Sequence, residues 1–249
     1  ALHSQSSAQL LGIFEQHLFV GRHKKAFSNA FFAVLVVMLL LNLTLYITCA
    51  AEAVNSAFGW PMPLAKAIFY CIASAVVALG VKSIGVSEKY SMLAIGAVVV
   101  ALGVLSLPKA NSPLPLFGGS PALAVALYSM CMFSFSALFS APQVVNYIGD
   151  KSKIRRCVLW GIGANALLTV GFAVITAMAS GQVTRVATVG LSARHGMAAT
   201  VLSTVFVALA MLTSFLSIAL AQIDVIKEKT KLPGMAAWGL ATLPTLAAA

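Results

Sequence analysis

Charge is what this sequence lacks most. Only 9% of its 249 residues are Asp, Glu, Lys or Arg, against about 25% in a water-soluble domain, and the deficit runs along the whole chain. Hydrophobic residues make up 60%, and the mean hydropathy is +0.97. This composition excludes a soluble globular domain and predicts a membrane-embedded one.

Acidic residues are scarcest, six in all, with no pair at membrane depth for general acid and base work. The HExxH, GxSxG, phosphate-binding GxxxxGK[ST] and dinucleotide-binding GxGxxG patterns are all missing. Enzymatic chemistry is not expected. The four cysteines, Cys49, Cys71, Cys131 and Cys157, lie far apart with neither CxxC nor zinc-site spacing. They read as small buried hydrophobes, and no metal site is expected.

The charges that are present lie between apolar runs. Sixteen Lys and Arg give a net charge of +10, which in a soluble chain would suggest nucleic acid. Their placement in breaks between apolar segments fits membrane-surface loops instead, so the expected partners are a lipid bilayer and no nucleic acid.

A spanning helix needs roughly 20 mostly apolar residues. Segments that qualify run over about 26–53, 63–81, 90–107, 122–147, 158–180 and 197–226, and a seventh, 235–249, is cut off. Turn-rich breaks separate them, among them Phe58 to Pro63 and the proline-rich 108–121. Alternate loops divide the basic residues twelve to four. The richer set comprises Arg22, Lys24, Lys25, Lys82, Lys89, Lys151, Lys153, Arg155, Arg156, Lys227, Lys229 and Lys231; the poorer comprises Lys66, Lys109, Arg185 and Arg194. The richer set is assigned to the cytoplasm. Residues 1–25 carry an apolar stripe, Leu10 to Phe19, followed by basic residues, and read as a cytoplasmic amphipathic connection lying on the interface. A start at Ala1 and an end inside an apolar run lead to the expectation of an internal fragment of a longer protein.

Three polar clusters interrupt the apolar runs. In 133–147, Pro142 falls at mid-membrane, where it removes an amide donor and frees carbonyls near Leu138 and Phe139. Backbone opened at that depth is either an ordinary kink or the broken helix of a transporter site, and Ser134, Ser136 and Ser140 add hydroxyls there. A second cluster is Thr213-Ser214-Phe215-Leu216-Ser217, with Gln222 and Asp224 beyond it. Its hydroxyls can ligate a hard cation or bond to their own helix backbone. The third is Asn42, Thr44, Tyr46, Thr48 and Glu52 in the first span.

Together these segments resemble the hydroxy and aromatic amino acid permeases, a bacterial branch of the amino acid/polyamine/organocation superfamily. Ser134, Phe135, Pro142, Val145, Tyr147 and the Asp150–Arg156 loop are similar to that family's broken sixth helix. Thr213 to Leu216 with Asp224 resembles its eighth helix, and Tyr46, Ile47 and Glu52 its third. Where the family's sixth-helix turn has glycines and a His, this chain has Ser136, Leu138 and Phe139, which leaves the substrate open.

The resemblance implies an all-α membrane protein, a polytopic helical bundle with a partial leucine-transporter-like inverted-repeat fold covering about helices three to nine. It further implies a secondary active transporter, an amino acid symporter of the bacterial inner membrane. A proton or sodium gradient drives import of an aromatic, hydroxylated or small neutral amino acid, with no cofactor beyond the coupling H⁺ or Na⁺. Ser134, Phe135, Ser136, Ala137, Leu138 and Tyr46 are the expected substrate contacts, and Thr213 and Ser214 the ion contacts if sodium is used. The alternative is a non-transporting membrane subunit derived from such a transporter.

Overall fold

The computed structural model describes residues 23–106, 120–134, 144, 145, 148, 150–180 and 196–249. The described residues are helical, without strands, in the order α1 (Lys24–Phe58), α2 (Met62–Ala78), α3 (Val81–Ser106), α4 (Pro121–Ser134), α5 (Lys151–Ser180), α6 (Met197–Thr230) and α7 (Gly234–Ala248). The amphipathic connection expected over residues 1–25 lies almost wholly outside the described residues; its last two, Lys24 and Lys25, open α1.

Local chemistry sets the ends. Gly59 closes α1 in the left-handed conformation, φ 68°, its N–H donating to the Asn55 carbonyl at 2.7 Å, a geometry that glycine adopts without Cβ strain. Asn55 Nδ2 also donates to the Trp60 carbonyl at 2.6 Å. Pro61 then precedes α2 and Pro63 sits in its first turn, where the missing amide costs no helical bond. Only Leu79 and Gly80 separate α2 from α3, and Gly80, at φ 90°, donates to the Val77 carbonyl while its own carbonyl accepts from Ile84.

Four helices, α1, α3, α5 and α6, are long and apolar enough to cross a membrane. That count is of the described residues, whereas six complete spans are expected along the whole chain. α2 has 17 residues, about 25 Å at 1.5 Å per residue, which is short of a hydrocarbon core of about 30 Å. The segment expected at 122–147 is described as helix over Pro121–Ser134 and again at 144–145, and Pro142 lies outside the described residues. α3 also begins nine residues earlier than the expected span at Tyr90, so Lys82, Glu88 and Lys89 are helical rather than loop.

Apolar side chains cover the outside as well as the inside. In the most apolar stretch of α1 only 28% of positions are buried, and in that of α5 none are. Val34, Leu41 and Leu45 of α1 and Trp160 and Leu167 of α5 are all more than half exposed. A helix that is apolar all round and half exposed is matched to lipid rather than water. The cysteines follow the same rule: Cys71, Cys131 and Cys157 are exposed and Cys49 half-buried. This corrects the expectation of buried thiols, because a small apolar group gains nothing by avoiding lipid.

The chain divides into two compact units. The first takes in residues up to Ala94, Leu138–Lys151 and Val207–Ala249; the second takes in Ile95–Ala137 and Ser152–Phe206. In the first, α1, α2 and α7 pack against one another, with Ala50, Ala65, Ala73, Ala237 and Ala241 buried at 5% exposure or less. Small residues let helix backbones approach closely, the main source of helix association where lipid supplies no hydrophobic drive. Leu43 and Ile47 of α1, Tyr70 of α2, Ile84 of α3 and Phe215 of α6 join the same core. The Phe215 ring meets Phe69 edge to face, with centroids 6.1 Å apart. In the second unit Phe172 stacks on Phe206 at 4.5 Å, and a Cβ on Gly103 would stand 3.2 Å from Ile175 Cδ1.

Phe215 is fully buried, so Phe215→Ala is expected to lower stability by about 3–5 kcal/mol, the cost of a large core cavity. The lipid-facing Val34→Ala should change it by less than about 0.5 kcal/mol. Thermal unfolding of the purified protein in detergent measures both.

Candidate functional site

Many hydroxyl and amide side chains inside these helices are satisfied by their own backbone. The Thr44, Thr48, Thr176, Thr204 and Thr230 hydroxyls each donate to the carbonyl four residues earlier at 2.7–3.0 Å. Asn42 donates in the same way to Met38 at 2.8 Å. Such bonds let a hydroxyl or amide sit in an apolar helix without a partner elsewhere, and these residues need no functional explanation. Glu52, in the polar series of the first span, is exposed.

The expected site residues fare unequally. Tyr46 is half-buried on α1 and packs against the core that includes Phe215 and Leu216. Thr213 and Ser214 are half-buried on α6 in the same unit, and Thr213 donates to its own helix at the Ala210 carbonyl, 3.0 Å away. Ser134 is the last residue of α4, exposed, in the second unit, and its carbonyl accepts from Asn165 Nδ2 of α5 at 3.0 Å. Phe135, Ser136, Ala137 and Leu138 lie outside the described residues.

Two groups outside the expected substrate and ion contacts stand out in the first unit. Ser217 Oγ donates to Glu88 Oε1 at 2.6 Å, joining α6 to α3 through a carboxylate. Glu88 is half-buried and occupies one register with Ile84, Ser91, Ile95, Val99 and Leu102, all at most 7% exposed. Spacings of three and four residues place all of these on one helix face, so Glu88 belongs to the buried stripe of α3. The charges at 82–89 have the composition of a loop, which hides Glu88 in the sequence. The signal was available, because the alternation from Ile84 through Ser91 to Ile95 is helical and only Gly85 interrupts it.

The second group is Gln222. It is fully buried, and neither its Oε1 nor its Nε2 has a hydrogen-bond partner. It follows Phe215 and Ala219 and precedes Ile226 at spacings of four, three and four on the buried face of α6. The buried Tyr70 hydroxyl of α2, in the same unit, is likewise without a partner. Buried polar groups left unsatisfied are rare and costly, and each calls for an explanation.

Among the described residues no group of three or more His, Cys, Asp or Glu could hold a metal ion. Comparison of the chain with known protein families, curated proteins and solved structures finds no match.

Gln222→Met, which keeps the volume and removes the unpaired amide, is expected to raise stability by about 1–3 kcal/mol, the desolvation penalty of an unsatisfied polar group. Gln222→Glu should lower it by more, since a buried unpaired charge costs more than an amide. Melting of the two variants in detergent, side by side with the parent, reads both signs.

Proposed function

We propose that this chain is the helical membrane portion of a secondary active transporter, a symporter that imports an aromatic, hydroxylated or small neutral amino acid across the bacterial inner membrane on a proton or sodium gradient. Composition and the four long apolar helices support a membrane setting. What supports the transport reading is the polarity of α6, whose fully buried Gln222 has an unpaired amide and whose half-buried Ser217, on a different face, donates to the Glu88 carboxylate. A structural membrane module can use a cross-helix bond such as Ser217 to Glu88 to fix register, but it gains nothing from a buried amide left unpaired, where Leu or Val would serve. A transporter needs such polar groups to replace the water around a polar solute or ion in mid-membrane.

Within this reading Tyr46, half-buried against that core, supplies a phenolic donor for a substrate carboxylate. Ser134, Phe135, Ser136, Ala137 and Leu138 supply the other substrate contacts, as the family resemblance implies. Thr213 and Ser214 are oxygen ligands only for a sodium-driven cycle. The protein breaks no covalent bond of its substrate.

Uptake of radiolabelled amino acids by the full-length protein in proteoliposomes, with pH and sodium gradients imposed separately, tests the reading. Accumulation of one chemical class under one gradient is expected. Absence of accumulation under both would favour the non-transporting subunit. Ser134→Trp and Ser136→Trp are expected to reduce uptake at least tenfold, about 1.4 kcal/mol or more of lost binding or barrier lowering, at unchanged membrane expression. Unchanged uptake would remove the 134–138 segment from the site.

A further inference from the structure

Transport on either gradient leaves the coupling ion open, and Glu88 has no part in it. Glu88 sits in the buried stripe of α3, at the Ile84 to Ser91 level, and meets α6 through the 2.6 Å hydrogen bond from Ser217. Ser217 is one turn from Thr213 on the same face of α6. Seven and eleven residues further on, Asp224 and Glu228 continue that stripe, about 10 and 16 Å along the axis, and both are half-buried. The polar track therefore runs from the contact with α3 towards the basic end of α6, where Lys227, Lys229 and Lys231 lie.

We infer that Glu88 is the proton-carrying group of the transport cycle and that Ser217 is the partner whose hydroxyl reverses its hydrogen bond when Glu88 changes protonation state. This rests on the transport reading above and decides its coupling ion as H⁺. With Glu88 ionised, Ser217 donates to Oε1, as observed. With Glu88 protonated, the carboxylic acid donates to Ser217 Oγ, and the serine proton turns to a carbonyl three or four residues earlier on α6, the bond that serines in helices make readily. One proton enters from the outer side, rides on Glu88 while the site is dehydrated, and leaves to the cytoplasm. No bond other than O–H is made or broken.

A carboxylate suits this task better than it suits sodium. Among the described residues the Ser217 hydroxyl is Glu88's one polar partner. A hard cation takes about six or more oxygen ligands, and these two side chains offer too few. A lone intramembrane carboxylate with one neutral donor is instead cheap to carry as the acid and costly as the anion. The charge change is thereby tied to whether water reaches the site.

Other ionisable groups on the packed elements are differently placed. Tyr46 of α1 and Tyr70 of α2 carry phenol hydroxyls rather than carboxylates. Cys49 and the exposed Glu52 lie further along α1, and Lys66, near the start of α2, donates to the Ala249 carbonyl. Lys82 and Lys89 of α3 are exposed, and α7 carries no ionisable side chain. Asp224, two turns beyond Ser217, stands beside Lys227.

The test compares the full-length protein with Glu88→Gln, Ser217→Ala and Glu52→Gln in proteoliposomes, reading pH-gradient-driven accumulation, sodium-gradient-driven accumulation and substrate exchange at equal pH. In the parent, a pH gradient drives accumulation. Glu88→Gln is expected to lower the ratio of accumulation to exchange about tenfold or more, because a group that cannot take a proton cannot couple to its gradient. Glu52→Gln should leave that ratio within about twofold, as befits an exposed side chain. Ser217→Ala should shift the pH of half-maximal uptake, a readout that a merely structural contact would not move. Should Glu88→Gln fail to reach the membrane, the Ser217→Ala pH profile decides alone: a shifted midpoint supports the inference and an unshifted one overturns it. Accumulation by Glu88→Gln equal to the parent's, collapse in Glu52→Gln instead, or a parent driven by sodium alone would each overturn the role of Glu88 while leaving transport intact. Absence of both accumulation and exchange in the parent would instead sink the transport reading itself.

Discussion

The buried face of α6 is what the first unit depends on. Phe215, Leu216, Ala219, Gln222, Ile223 and Ile226 are at most 6% exposed, and residues of α1, α2, α3 and α7 close over them. Lipid supplies no hydrophobic drive between helices, so dispersion contacts and close backbone approach hold such a unit together. That makes shape at this face decisive. The buried alanines of α1, α2 and α7 let those helices draw near one another, and Phe215 fills the volume beside Phe69.

Hydrogen bonding separates polar residues that serve the helix from those that tie helices together. Thr44, Thr48 and Thr213 are bound to their own backbone. A smaller set reaches across: Ser217 to Glu88, Trp238 Nε1 to the Ser74 carbonyl at 3.1 Å, and Lys229 Nζ to Ser28 Oγ at 2.6 Å. Ser28 is 2% exposed, so that last contact places an ammonium against a buried hydroxyl and ties α6 to the start of α1. Contacts of this kind fix helix register, because a shift of one residue would strand a donor in apolar surroundings. Glu88 belongs to this set as its carboxylate member.

The site reading from sequence had mixed reach. Thr213 and Ser214 were chosen for their hydroxyl chemistry, and Thr213 turns its hydroxyl to its own helix. Ser217, in the same short run, is the residue that crosses to another helix. Five adjacent side chains on a helix point in five directions about 100° apart, and which of them meets a neighbour depends on that neighbour's position. Glu88 was passed over because a charged residue between Lys82 and Lys89 has the composition of a loop. In the folded chain it is one position in a buried stripe.

Sequence by itself determined the class of this protein and where several of its helices stop. Too little charge for water, apolar runs of spanning length, and the break at Gly59 follow from the cost of unpaired backbone groups and the few residues that adopt positive φ, whereas the break at Gly80 falls inside the expected span 63–81. Tertiary structure alone decided which faces are buried. In a soluble helix, periodicity announces the inner face. In α1, Leu39 and Leu43 are fully buried while Leu41 and Leu45 are more than half exposed, and the four are chemically identical. Where lipid and core accept the same side chains, composition cannot tell inside from outside, and the inner face is chosen by the fit of one helix against the next.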